Sequence, residues 1–221
     1  MLVLGVDTAT AAVTAVLARV DADRVEVLER EVTVDGRAHG ERLAPSLDAV
    51  LRRAGHRPDE LGAVVAGVGP GPFTGLRVGM VTATAMAQAL DIPVYGVCSL
   101  DAVGGAAGTG RVLVATDARR REVYWAVYVD GVRQGAAAVG APATVATGLT
   151  VDRAIGDGAV RYADVLGVPV VEEPRFPVPE ALIGAAAERI RSAAPGEQLE
   201  PLYLRRPDVT LPGAARTVTG P

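Results

Sequence analysis

Apolar residues along this chain follow two spacings, and the switches between them order the elements. From Leu2 to Val6 the apolar run is unbroken and ends on Asp7. A second run spans Ala12 to Val20. A third, Arg24 to Val34, alternates in part, with Val25 and Val27 on one face and Glu26 and Leu28 on the other. Such stretches, joined by short turns such as Asp21-Ala-Asp23, predict three antiparallel strands in a meander. The spacing then becomes helical: Leu43, Leu47, Val50 and Leu51 form one stripe of a helix over roughly 40–54, closed by Gly55.

The next stretch, Ala63 to Leu90, organises the first half. Val64, Val65 and Val68 have no polar residue between them, as expected of a strand buried on both faces. Gly69, Pro70, Gly71 and Pro72 forbid both a helix and a continued ladder, so the chain turns sharply. A helix follows, with Thr74 as candidate N-cap and Leu76, Met80, Ala83, Ala87 and Leu90 at helical spacing. Gly75 and Gly79 lie four apart on one face and admit the close approach of another backbone or helix. A glycine-rich strand-to-helix turn can face an anion or a partner, or can simply allow close packing; the pattern leaves these open. It is neither of the common nucleotide motifs. The chain contains no lysine for a Walker loop, and the third glycine of a dinucleotide fingerprint falls on Pro72 or Thr74, depending on the register.

A strand from Pro93 to Cys98 and a short helix begun by Ser99 complete this half, and the run Gly104 to Gly110 reads as a join. The pattern then restarts. Val3 to Asp7 followed by Val13 to Leu17 aligns, at a shift of 110 positions, with Leu113 to Asp117 followed by Val123 to Val127. Two copies of one unit are expected. In the second copy Asp130-Gly131 signals a hairpin, Val151 to Ile155 a strand, and Pro179 to Ser192 one amphipathic helix. The expected division is residues 1–103, residues 104–206, and a flexible tail at 207–221.

Composition narrows the chemistry. With 49% hydrophobic and only 4% aromatic residues, the core must be built from Val, Leu and Ala, as in layered α/β folds. The net charge of −4 argues against a chain that grips nucleic acid by itself. No apolar run reaches membrane-span length and no basic leader precedes the first strand, so a cytoplasmic address is expected, with no membrane association. The single cysteine, Cys98, offers neither a disulfide nor a thiol pair, and reads as a small buried hydrophobe. His39 and His56 are separated by a helix, with no ligand at metal spacing beside either. No metal or cofactor is therefore expected, and a metalloprotease is excluded by the lack of His-Glu-x-x-His. Ser99 and Thr74 lack a histidine in the pattern and read as helix caps rather than nucleophiles.

Duplicated halves with Asp7-Thr8 closing the first strand resemble the ribonuclease H-like unit of the actin, Hsp70 and sugar kinase superfamily, in which mixed sheets are flanked by helices. Gly5-Val-Asp-Thr-Ala-Thr10, His39-Gly-Glu-Arg-Leu-Ala-Pro45, Val68-Gly-Pro-Gly-Pro-Phe-Thr-Gly-Leu-Arg-Val-Gly79, Asp117-Ala-Arg-Arg-Arg-Glu-Val-Tyr-Trp125 and Pro201-Leu-Tyr-Leu-Arg-Arg-Pro207 together resemble the TsaB (YeaZ) family of bacterial tRNA threonylcarbamoyladenosine biosynthesis proteins. One departure is Pro72, where that family commonly has serine. It removes a hydroxyl and a backbone donor, which weakens an anion-binding role for the loop.

The resemblance implies a helper rather than an enzyme. Its catalytic relative TsaD holds a metal and transfers threonylcarbamoyl to N6 of adenosine 37 in tRNAs reading codons that begin with A; TsaE is an ATPase that cycles the complex. This chain would pair with TsaD, or with a second copy of itself, and meet tRNA only through the complex. The pairing would use the two helices after His39 and after Phe73, with Leu43, Leu47, Gly75, Arg77, Gly79, Met80 and Thr84 as the implied interface and Met80 pointing outward. In the superfamily, strand-end aspartates approach nucleotide phosphates, so Asp7, Thr8, Thr10 and Asp117 are the candidates for residual nucleotide binding. An Asx turn is the plainer reading of both aspartates. The competing function is a stand-alone kinase-like or ATP-hydrolysing enzyme of the same fold.

Overall fold

Continuous apolar runs and short turns produce the meander that the pattern predicts. In the computed structural model, which describes residues 1–205, β1 (Leu2–Asp7), β2 (Ala12–Val20) and β3 (Val25–Val34) pair antiparallel, Leu4 opposite Leu17 and Val16 opposite Arg30. The tail at 207–221 lies outside the described residues. After α1 (His39–Ala54), β4 (Ala63–Gly67) inserts parallel to β1, and after α2 (Phe73–Leu90), β5 (Val94–Val97) pairs parallel to β4. The sheet order is β3-β2-β1-β4-β5. β4 is buried along its whole length because strands flank it and helices cover both faces, which is why its sequence is all small or β-branched. The short α3 (Asp101–Gly104) ends this half.

The second half repeats the plan. β6 (Arg111–Asp117), β7 (Val123–Val129) and β8 (Val132–Gly140) form a meander; α4 (Pro142–Ala146) leads to β9 (Arg153–Ile155), which pairs parallel to β6. The order β8-β7-β6-β9 copies β3-β2-β1-β4 of the first sheet. Two short helices follow, α5 (Asp157–Arg161) and α6 (Ala163–Leu166). This is the duplicated, mixed-sheet α/β architecture that the repeat in the sequence predicts.

Two expectations are corrected at the end of the chain. The single helix over Pro179 to Ser192 is two short ones, α7 (Pro179–Gly184) and α8 (Ala187–Arg191). Nor do they belong to the second half by packing. Leu182, Ile183 and Ile190 join Val3, Val16, Val65 and Tyr95 in one core on the face of the first sheet opposite α1 and α2. A Cβ on Gly5 would lie 2.8 Å from Ile183 Cδ1, so the bare backbone at Gly5 admits this contact. Full burial of each of these side chains is worth about 1.5–3 kcal/mol, enough to bring the chain's end back to the first sheet and to make the boundary at residue 104 one of sequence rather than of packing.

Beyond α8 an extended strap runs over the edge of the first sheet. Glu197 N–H donates to the Val94 carbonyl and Leu202 N–H to that of Val68, both near 2.9 Å. Leu199 and Leu202 pack onto Val68, Leu76 and Met80. Arg205 then reaches the other half, donating to the Ala118 carbonyl and pairing with Glu122. No helix of the described residues is long and apolar enough to cross a membrane.

Candidate functional site

Asp7 ends β1 fully buried. Its Oδ1 accepts the Ala9 N–H at 2.8 Å, closing an Asx turn, and its Oδ2 accepts the Ser99 hydroxyl at 2.5 Å. Ser99 Oγ in turn accepts the Gly69 N–H at 3.2 Å, so three loops are tied through one carboxylate. Ser99 is therefore a tether for Asp7 and not a helix cap. There is no spare room: a Cβ on Gly67 would sit 1.9 Å from Asp7 Oδ2. Burial pushes the Asp7 carboxyl up to about 6, against the pull of Ser99, the Ala9 N–H and the nearby His39.

The repeat reproduces this turn with a different outcome. Asp117 Oδ1 accepts the Arg119 N–H at 3.2 Å, as Asp7 does that of Ala9, but Asp117 is only part-buried and its Oδ2 pairs with Arg161 at 3.1 Å. Beneath it, Asp157 accepts the Asp117 N–H, and burial raises its carboxyl to about 6, opposed by that N–H and reinforced by the Asp117 charge. Both aspartates thus close Asx turns, as in the plainer reading, and both carboxylates have partners within the chain.

Between the β1–β2 turn, the starts of α1 and α2, and the β6–β7 turn lies a cleft of about 390 Å³, lined among others by Thr8, Thr10, Arg37, His39, Thr74 and Arg119. Of the four nucleotide candidates only Thr8 and Thr10 reach it, and both hydroxyls are engaged. Thr8 Oγ1 donates to the Gly75 carbonyl at 2.7 Å and accepts the Gly79 N–H at 2.9 Å, and Thr10 Oγ1 accepts the Ala12 N–H. His39 Nε2 lies 2.8 Å from the Thr10 carbonyl and so carries its hydrogen there. Among the described residues no group of three or more His, Cys, Asp or Glu side chains is placed to hold a metal ion.

The implied interface needs correction. Leu43 and Leu47 face the sheet, and Met80, 7% exposed, packs with Leu76 and Val68. Gly75 and Gly79 admit the chain's own β1–β2 turn rather than a partner: added Cβ atoms would come within 2.8 Å of Thr8 O and 2.5 Å of Thr8 Oγ1. Thr74 is not the N-cap; Pro72 is, and Thr74 lies in the first turn. Arg77, exposed, and Thr84, half-buried, do lie on the outer side of α2. There they join residues the pattern did not single out: Val81, 65% exposed, Ala85, Gln88 and Phe73. Phe73 stacks on Tyr203 of the strap, with the Arg77 guanidinium 3.8 Å above the Phe73 ring and hydrogen-bonded to the Tyr203 hydroxyl. A shallow hollow of about 260 Å³ between Val81, Thr84, Gln88 and Leu199 completes the face. The sequence carried no signal for Val81, because α2 is apolar or small on most sides, and the Phe73–Tyr203 stack joins residues too far apart in sequence to have been paired.

Comparison with known proteins bears on this geometry. The family model for TsaD, tRNA N6-adenosine threonylcarbamoyltransferase, matches residues 26–190. The solved structure of YeaZ from Pseudomonas aeruginosa superposes with a TM-score of 0.77 at 29% identity, covering 92% of this chain and 99% of that one. The chain belongs to the TsaD family and is of its TsaB/YeaZ type. A Mycobacterium tuberculosis relative is 52% identical over 206 residues, 93% of this chain and 92% of that protein. The tRNA threonylcarbamoyladenosine biosynthesis protein TsaB of Escherichia coli is 36% identical over 135 residues, 58% of this chain and 55% of that protein. A Mycobacterium leprae relative is 51% identical, and the chain spans 55% of its length.

Proposed function

We propose that this chain is a non-catalytic subunit of the machinery that makes N6-threonylcarbamoyladenosine at position 37 of tRNAs reading codons that begin with A. It works by docking the outer faces of α1 and α2 on the catalytic subunit TsaD, with TsaE as the third component and tRNA met only through the complex. In isolation the same face serves a homodimer. The reading draws on the TsaB name of its relatives, and one observation carries the non-catalytic part. The carboxylate that a phosphate- or metal-handling site of this fold would need, Asp7, is buried and spent on Ser99 and the Ala9 N–H. A stand-alone kinase-like enzyme would need that carboxylate at the cleft, and no acid lines the cleft.

The docking face is supported by an exposed Val81 and Phe73 beside the alanine and threonine positions of α2, with the Asp48–Arg52 ion pair at 2.8 Å on the outer side of α1. Small and apolar residues at the centre and charges at the edge are the composition of a helix-pair contact. The test is co-purification with the cognate TsaD, followed by a threonylcarbamoylation assay with and without this chain. Retention of TsaD and activity that depends on the chain are expected; full activity in its absence would overturn the proposal.

A further inference from the structure

Along α2 the exposed positions Phe73, Arg77, Val81 and Ala85 recur at every fourth residue, the spacing of one ridge on a helix surface. By itself that ridge would be loose at its N-terminal end. Phe73 opens the helix, and a long arginine side chain keeps most of its rotamers when nothing holds it. The strap removes this freedom. Tyr203 stacks on Phe73, with ring centroids 5.4 Å apart and planes 23° from parallel. Its hydroxyl accepts the Arg77 Nε–H at 2.9 Å, and the Arg77 guanidinium carbon lies 3.8 Å from the Phe73 ring centroid. Each of the three side chains therefore fixes the other two.

The strap is pinned on either side of Tyr203. Leu202 N–H donates to the Val68 carbonyl at 2.8 Å and its side chain packs beside Leu76 and Met80, while Arg205 holds the Ala118 carbonyl and Glu122. None of these contacts uses the Tyr203 side chain, so the strap stays seated without it. Nor does burial account for the cluster, because Phe73 and Tyr203 remain 44% and 39% exposed. Four residues before Tyr203, Leu199 closes the hollow beside Val81, Thr84 and Gln88. Helix and strap thus present two parallel rows to one side.

We infer that Tyr203 is a positioning residue for docking: it holds Phe73 and Arg77 as a preformed anchor at one end of the α2 face. The inference rests on the docking role proposed above and takes TsaD as the occupant. The TsaD family model matches residues 26–190, which include all of α1 and α2, so both chains bring a related helix, and ridges of one can seat between ridges of the other. Aromatic residues and arginine are enriched among the side chains that dominate interface affinity. Immobilising such side chains during association weakens binding, and Tyr203 has already immobilised them in the free chain. With Nε spent on Tyr203, the terminal nitrogens of Arg77 have no partner among the described residues and are left to an acceptor on the docked helix.

The experiment measures affinity for the cognate TsaD with the full chain and its variants, beside melting curves and hydrogen exchange at the Leu202 amide. Tyr203→Ala should weaken pairing about tenfold or more, and Tyr203→Phe, which keeps the stack and loses the hydroxyl, about threefold. Neither should shift the melting curve or free the Leu202 amide. In an Arg77→Ala background Tyr203→Phe should add no further loss, because the hydroxyl acts through that guanidinium. Pairing that is lost in Val81→Arg but unchanged in Tyr203→Ala would overturn the inference alone and leave the docking reading standing. An equal loss from Tyr203→Phe in both backgrounds, or a loss in Tyr203→Ala that comes with a freed Leu202 amide, would also overturn it, making Tyr203 a direct contact or a fastener of the strap. A parent chain that does not pair with TsaD, or pairing untouched by Val81→Arg, would remove the docking reading and the inference with it.

Discussion

Thr8 Oγ1 accepts a hydrogen bond from the Gly79 N–H, 2.9 Å away and 71 positions along the chain. The same hydroxyl donates to the Gly75 carbonyl, so a side chain from the β1–β2 turn bridges the two groups that one helical turn would otherwise pair directly. That bridge requires glycine on the facing helix. Gly79→Ala places a Cβ 2.5 Å from Thr8 Oγ1, and overpacking of this kind costs about 1–3 kcal/mol, more than the ~1 kcal/mol alanine gains in a helix. A fall in Tm of about 2–6 °C is expected, measured by thermal melting. Gly184→Ala, whose Cβ would meet nothing within 4 Å, is the control and should leave Tm unchanged or raised.

The two raised carboxyls set the acid limb of stability. Asp7 and Asp157 hold their protons up to about pH 6 in the folded chain, against an ordinary carboxyl value of 3.8. Between those values the folded state binds more protons than the unfolded one, so stability is greatest below and falls as pH rises through about 6. For Asp7 alone the shift corresponds to about 3 kcal/mol. Glu31 and Glu197, whose carboxyls are lowered from 4.5, act in the opposite sense and only below that pH. Melting from pH 5 to 8 should show Tm declining and then levelling, with a flatter profile in Asp7→Asn. A Tm that rises across this range would contradict the assignment.

On α2 two adjacent residues can separate the proposed docking from folding. Val81→Arg places a charge on the outer face and should weaken pairing with TsaD by about a hundredfold while leaving the melting curve intact. Met80→Arg instead puts a charge among Leu76, Val68 and Leu202 and should unfold or strongly destabilise the monomer, a loss of about 3 kcal/mol or more. Pull-down beside circular dichroism reads both. A folded Met80→Arg that no longer pairs would move the interface back to the buried side.

Cys98 should be chemically silent. Burial, reinforced by Asp101, pushes its thiol up to about 11, and the side chain is enclosed beside Leu100 and Val112. Aromatic disulfide reagents at pH 7.5 should therefore label it only as fast as the chain unfolds, with labelling complete in denaturant. Rapid native labelling would show that the loop after β5 opens.

The sequence by itself determined the elements of the first half and the duplication. Strand and helix spacings are local properties, and the β-turn-β segments ending in Asp7 and Asp117 repeat because their hydrogen bonds close within three residues. Directions were another matter. Helix α2 is apolar or small on most sides, so no stripe tells Met80 from Val81. Only the β1–β2 turn settling onto Gly75 and Gly79 turns Met80 inward and Val81 out. The return of α7 and α8 to the first sheet and the Ser99–Asp7 tether both join residues far apart along the chain. Such contacts are selected by burial and complementary shape once the sheets exist, and no local spacing encodes them.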